Sequence, residues 1–265
     1  MIRIKGNSKE KVEYKNGKII KYNNTHSSRF CKNNGKYNKF IQMDQSLFKV
    51  PKIMYCSEER IVFEYISCNQ TILDMIENNS VTEIKSIMSR IIEIIVFFLS
   101  HCNTINVTEQ VQQKIYSLQS VLSSNHYDKY FTYLLESCSE IEIPVGKCHG
   151  DLTFSNILFS RKDIYFIDFL DSFVESPLLD VVKLRQDTSI QWILSMNKEK
   201  YDFNKIKIAF FEIDKEINTY FLQYKWYEKF YKMFQIINIL RVIVYVEDTH
   251  TLNMLLTELE RIYNN

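Results

Sequence analysis

The 265-residue sequence predicts an α+β protein in two parts: a small antiparallel β-rich N-terminal region and a larger, mainly helical C-terminal one. Three observations predict it. Asn16-Gly17, a strong hairpin signal, sits between two short alternating segments. The hydrophobic period changes from strand-like to helical near residue 80, and the chain after Ser176 keeps the helical period to its end. A hydrophobic content of 46%, with only 5 glycines and 3 prolines, supports a sizeable core and excludes a collagen-like or linker-dominated chain.

Taken in order, Ile2-Arg3-Ile4 alternates like a strand and ends at Gly6-Asn7-Ser8. Lys11–Lys15 and Lys18–Tyr22 form the arms of the hairpin. A helix is expected within 27–43, then strands at Val50–Met54 and Arg60–Ile66, with Pro51 tolerable at a strand's beginning or on an edge. Ser80-Val81-Thr82-Glu83 is a capping box, followed by Ile84, Ile87, Met88, Ile91, Ile92 and Ile95 at helical spacing. Helices follow at Glu109–Ser123 and Tyr127–Ser139, and short strands at Glu142–Val145, Ile157–Phe159 and Ile164–Ile167. Further helices are expected at Leu178–Asp187, Lys205–Tyr224, Tyr227–Val246 and Leu252–Ile262. The boundary between the two parts falls near residues 66–72.

Charge excludes some partners. With 33 basic and 32 acidic residues the molecule carries no overall nucleic-acid or membrane-surface signature. Residues 1–50 are locally basic, twelve Lys or Arg against three acids, which suits either a polyphosphate or a solvated lysine-rich surface. The most apolar stretch, Ile91–Leu99, is far shorter than a spanning helix and is broken by Glu93. No apolar secretory segment opens the sequence, and the six cysteines show no CxxC pair or regular spacing. Reduced thiols and a cytoplasmic location are the expectation.

The chemistry concentrates in His149-Gly150-Asp151-Leu152-Thr153-Phe154-Ser155-Asn156 and in Ile164-Tyr165-Phe166-Ile167-Asp168-Phe169. Phosphoryl transfer needs a base at the acceptor hydroxyl and oxygen ligands that hold Mg²⁺ against nucleotide phosphates. Asp151 and Asn156, five residues apart on one loop, can divide those tasks. Asp168, twelve residues further on at a hairpin end, supplies a charged metal ligand.

This HxDxxxxN segment, a hydrophobic strand and Ile-Asp-Phe together resemble the aminoglycoside phosphotransferase and choline kinase superfamily, a small-molecule branch of the protein-kinase-like fold. Ser176-Pro177-Leu178-Leu179-Asp180 also resembles that branch, where a Pro and an Asp open the next helix. Ile164 to Asp180 is only 17 residues, too short for a protein-kinase activation segment. The resemblance implies a bilobal fold, with residues 1–68 as the nucleotide-binding lobe and 69–265 as the catalytic and substrate-binding lobe. It further implies transfer of the γ-phosphoryl of Mg-ATP or Mg-GTP to a hydroxyl of a sugar, amino sugar or amino alcohol. Asp151 would be the base, Asn156 and Asp168 the metal ligands, and Lys21 the contact to the α/β phosphates, with Lys18 as the register alternative. Ser8 would lie in the phosphate-covering loop, and backbone groups of Glu64 and Ile66 would bind the purine.

One departure stands out: residues 27–43 contain no acid, although the family pairs its lysine with a Glu on that helix, and Asp44 lies at the far end. That departure favours a catalytically silent, pseudokinase-type binding module; the retained Asp151, Asn156 and Asp168 favour the enzyme. His149 and Asp180 read as braces of the catalytic loop, and Asp171 as a turn residue. The Trp226–Phe234 aromatic run reads as core in preference to a quaternary-ammonium cage. Residues 181–265 hold twelve basic and eleven acidic side chains, which gives no support for a polycationic acceptor.

Overall fold

A computed structural model describes residues 2–4, 11–23, 28–195 and 201–265. Its strands are β1 (Ile2–Ile4), β2 (Lys11–Lys15), β3 (Lys18–Tyr22), β4 (Ile53–Cys56), β5 (Arg60–Glu64), β6 (Cys102–Asn106), β7 (Glu142–Gly146), β8 (Ile157–Ser160) and β9 (Asp163–Phe166). Its helices are α1 (Ser28–Ile41), α2 (Ile72–Asn78), α3 (Val81–Leu99), α4 (Thr108–Val121), α5 (Asp128–Glu136), α6 (Pro177–Thr188), α7 (Trp192–Ser195), α8 (Phe203–Phe221), α9 (Lys225–Ile243) and α10 (Thr249–Asn264). The chain divides into two compact units, Met1–Met75 with Ser155–Asp171, and Ile76–Phe154 with Ser172–Asn265.

The first unit is built on an antiparallel sheet of order β1-β2-β3-β5-β4. Asn16 (φ 51°) and Gly17 (φ 69°) both take left-handed backbone in the turn between β2 and β3, which is the conformation a two-residue hairpin demands. The strand expected at Val50–Met54 forms later, at Ile53–Cys56. Pro51 has no N–H to give a ladder, and its carbonyl accepts from the buried Tyr37 hydroxyl of α1 at 2.5 Å. The β8–β9 hairpin joins this unit through bridges Lys49↔Tyr165 and Gln70↔Phe159. Beneath it Phe40 packs on Phe169 (4.5 Å between centroids), and Phe48 stacks on Phe166.

In the second unit α3 starts as its capping box dictates. The Ser80 side chain accepts from the Glu83 N–H, and the Glu83 carboxylate accepts from the Ser80 N–H. Its apolar stripe, including Ile84, Met88, Ile91 and Ile95, is buried. Packed by α3, α8 and α9, α6 is the central helix: every residue except Arg185 is buried. The aromatic run on α9 is core, with Tyr227, Phe230 and Phe234 all buried. Among the described residues no helix is long and apolar enough to cross a membrane.

Candidate active site

In the second unit the site starts from α6. Ser176 caps the helix by accepting from the Leu178 N–H at 3.2 Å, and Pro177 occupies the first turn, where its missing N–H costs nothing. Asp180, Lys183 and Asp187 follow at i, i+3 and i+7, so they share one face. Each meets a different point of the segment 149–154. The fully buried Asp180 accepts from the N–H groups of His149 (2.6 Å) and Gly150 (2.8 Å). Lys183 Nζ lies 3.2 Å from Asp151 Oδ1. Asp187 Oδ2 accepts from the Phe154 N–H at 2.6 Å.

The loop adds its own constraints. Gly150 sits at φ 87°, left-handed backbone that a side chain would strain, and its carbonyl accepts from the Ser172 hydroxyl at 3.1 Å. The Asp151 N–H donates to His149 Nδ1 at 3.3 Å, with the His149 ring fully buried. His149 and Asp180 therefore brace the loop, and Asp151 is left with its carboxylate 24% exposed.

Burial raises the Asp151 pKa, but Lys183, Arg241 and His149 outweigh it and hold the carboxyl below its ordinary range. Lys183 is pulled down to about 8 by burial, against the attraction of Asp151 and with Arg241 adding to the fall. Burial pushes Asp187 up to about 7, opposed by the Phe154 N–H and Lys183. Asp187 Oδ1 is buried with no hydrogen-bond partner among the described residues.

The first unit holds a second cluster. Asn156, buried, ends a single 3-10 turn, and its carbonyl accepts from the Ile167 N–H at 3.0 Å. That bond ties the loop to the strand end that delivers Asp168. Asp168 adopts φ 58°, left-handed for a non-glycine residue, and its carboxylate is 49% exposed. Lys21 Nζ donates to Asp168 Oδ1 at 2.9 Å. Lys18 is exposed beside the hairpin turn. On α1, where the resemblance leads one to look for an acid, Lys36 is buried and donates to the Leu170 carbonyl at 2.7 Å. Asp44 is used locally, accepting from the Ser46 N–H. Asp168 thus partners Lys21, and Lys36 ties α1 to the backbone just beyond Asp168.

The side-chain oxygens of Asn156 and Asp168 are hard donors of the kind Mg²⁺ accepts together with water and phosphate, and the exposure of Asp168 leaves room for them. The donor set fits that ion. Of the remaining expected residues, Ser8 lies outside the described residues, with Gly6 and Asn7. The Glu64 N–H donates to the Lys52 carbonyl at 3.0 Å, and its carboxylate accepts from the Lys52 N–H at 2.8 Å. Ile66 is buried and its carbonyl accepts from the Asn69 amide at 2.7 Å. Asp171 is exposed.

Solved structures of small-molecule kinases share this architecture. Aminoglycoside phosphotransferase APH(4)-Ia superposes with a TM-score of 0.67 at 9% identity, over 98% of this chain and 92% of that one. Choline kinase LicA from Streptococcus pneumoniae gives 0.61 at 12% identity over 99% and 92%, and ADP-bound aminoglycoside phosphotransferase APH(2'')-Ib gives 0.60 at 15% over 98% and 91%. The fold is that of the aminoglycoside phosphotransferase and choline kinase superfamily. No protein-family model matches the sequence, and no curated protein matches it.

Within this kinase fold, the sequence motifs leave out Lys183, Gln186, Asp187, Asn238 and Arg241. A signal was present: Asp180, Lys183 and Asp187 are the polar residues on one face of a helix whose other positions include Leu178, Leu179, Val181, Val182 and Leu184. A periodic charge in an apolar helix marks a buried polar partner.

Proposed function

We propose that the protein transfers the γ-phosphoryl group of ATP or GTP, bound with Mg²⁺, to a hydroxyl of a small molecule. The observation that carries this reading is the approach of Lys21 Nζ to Asp168 Oδ1, two groups 147 residues apart in sequence that meet at 2.9 Å. A lysine and a half-exposed carboxylate brought to one place can serve as phosphate contact and metal ligand once nucleotide and metal come between them. The likeness to small-molecule kinases supports the same assignment.

Asp151 receives the acceptor hydroxyl. Its carboxyl, held below the ordinary range, is ionised at neutral pH and accepts the hydroxyl's hydrogen bond, which aligns the oxygen for in-line attack. A weak base suffices because the transition state of phosphoryl transfer is loose and the proton leaves late. Asn156 and Asp168 would hold the metal ion, which would supply positive charge to offset that of the phosphates. Lys21 steadies the α/β phosphates. Backbone groups of Glu64 and Ile66 meet the purine base, and the acceptor is a sugar, amino sugar, amino alcohol or related hydroxyl compound.

Calorimetry of ATP and GTP binding with and without Mg²⁺, on wild type and Asp168→Ala, tests the nucleotide half of this reading. Mg²⁺-dependent binding in wild type, weakened about 10-fold or more in Asp168→Ala, is expected. Equal binding by the two proteins, or none by either, contradicts it.

A further inference from the structure

A closed polar ring surrounds the Asp151 carboxylate. Lys183 Nζ stands 3.2 Å and Arg241 Nη2 4.0 Å from Asp151 Oδ1. Lys183 Nζ also donates to Gln186 Oε1 at 3.3 Å, and Asn238 Nδ2 donates to the same oxygen at 2.8 Å. Arg241 Nη2 closes the circuit by donating to Asn238 Oδ1 at 3.3 Å. Lys183 and Gln186 stand one turn apart on α6, as do Asn238 and Arg241 on α9, so two rigid helices build the ring.

Lys183, Gln186 and Asn238 are buried, and their hydrogen bonds are accounted for within the ring. Arg241 differs. Its side chain is 33% exposed, and among the described residues its Nε and Nη1 have no hydrogen-bond partner. A guanidinium is a planar fork of five donors suited to bidentate contact with carboxylate or phosphate. Here one nitrogen is held by the ring while the other two stay uncommitted beside the base. Within the ring two cations stand against one carboxylate, and Asp187, the further acid that acts on Lys183, is pushed towards its neutral form by burial.

We propose that Arg241 is an acceptor-binding residue whose uncommitted edge takes an anionic substituent, a carboxylate or a phosphate monoester, close to the hydroxyl that Asp151 orients. The acceptor is thus an anionic hydroxyl compound such as a sugar acid or a sugar phosphate. This rests on the phosphotransferase reading, which makes Asp151 the acceptor's base. An ammonium-bearing acceptor would meet Lys183 and Arg241 as like charges and be disfavoured.

The test compares glucose, glucosamine, glucuronate and glucose 6-phosphate as acceptors for wild type, Arg241→Gln and Arg241→Lys, with ATP or GTP and Mg²⁺. One of the two anionic compounds is expected to give the highest kcat/KM, and which one it is separates carboxylate from phosphate. Arg241→Gln should raise its KM about 10-fold or more with a much smaller change in kcat, and raise it by a clearly larger factor than the KM for glucose. Arg241→Lys should recover part of the loss by keeping the charge. Preference for glucose or glucosamine overturns the proposal, as does an anionic acceptor whose KM ignores Arg241→Gln. Calorimetric titration of glucuronate and glucose 6-phosphate into the nucleotide-free full chain separates this inference from the kinase reading. Anion binding lost in Arg241→Gln supports the inference even where nothing is phosphorylated, while no binding of either anion together with no turnover of either overturns it.

Discussion

Asp180 holds Gly150 by accepting its N–H at 2.8 Å, and accepts the neighbouring His149 N–H at 2.6 Å, with no part of the carboxylate reaching solvent. One side chain thereby fixes the two peptide groups that precede Asp151. Asp180→Ala strands two buried donors, each with a desolvation cost of about 1–3 kcal/mol. A loss of about 2–5 kcal/mol in urea-measured stability is expected. Asp180→Asn, which keeps one acceptor oxygen, should fall between Asp180→Ala and wild type.

Lys21 and Asp168 give the opposite balance of stability and function. Their side chains are 15% and 49% exposed, so the ion pair contributes at most about 1 kcal/mol to folding. Lys21→Ala should therefore leave the urea midpoint nearly unchanged. On the reading above it weakens nucleotide binding about 10-fold or more, as calorimetry would show. A large stability loss with unaltered nucleotide affinity contradicts that role.

Asp187 sets a pH dependence. Its pKa in the folded protein is pushed up to about 7 from an ordinary 3.8, chiefly by burial. The folded state therefore binds the extra proton at pH values where the unfolded chain has released it. The resulting stability is fully present below about pH 4 and is lost as pH rises through 7. The effect is at most about 4 kcal/mol, three pKa steps at roughly 1.4 kcal/mol each. Asp187→Asn should flatten the stability profile between pH 4 and 7 while its amide oxygen still accepts the Phe154 N–H; an unchanged slope shows that another group titrates.

What the sequence announced was local. Asn16-Gly17 names its own turn, Ser80 and Glu83 name their own cap, and Ser176-Pro177 starts α6 within one residue of expectation. What it concealed depends on residues far away. Cys102-Asn103-Thr104-Ile105-Asn106 is mostly exposed and has no strand periodicity; it is β6 because β7 pairs with it about forty residues later. The missing acid of α1 was visible as a gap, yet the Lys21–Asp168 contact was not, because Asp168 reaches Lys21 across 147 residues. Lys183 and Asp187 break the apolar run of α6. Their partners, Asp151 and the Phe154 N–H, lie about thirty residues upstream, where no window of helical periodicity extends. The β8–β9 hairpin likewise joins Met1–Met75 through contacts distant in sequence, the bridges to Lys49 and Gln70 and the Lys49–Asp163 ion pair among them, so its allegiance is a property of the fold.

On the proposed reading, Asp151 serves an acceptor hydroxyl in phosphoryl transfer. Phosphorus NMR of ATP or GTP turnover with Mg²⁺, over neutral, cationic and anionic hydroxyl compounds, tests it most directly when wild type and Asp151→Asn are run side by side. A new phosphate-ester resonance is expected that depends on acceptor and fails to grow with Asp151→Asn, while that variant's nucleotide affinity stays largely intact. An ester formed at a near wild-type rate by Asp151→Asn, or no ester from wild type with any acceptor, would contradict it.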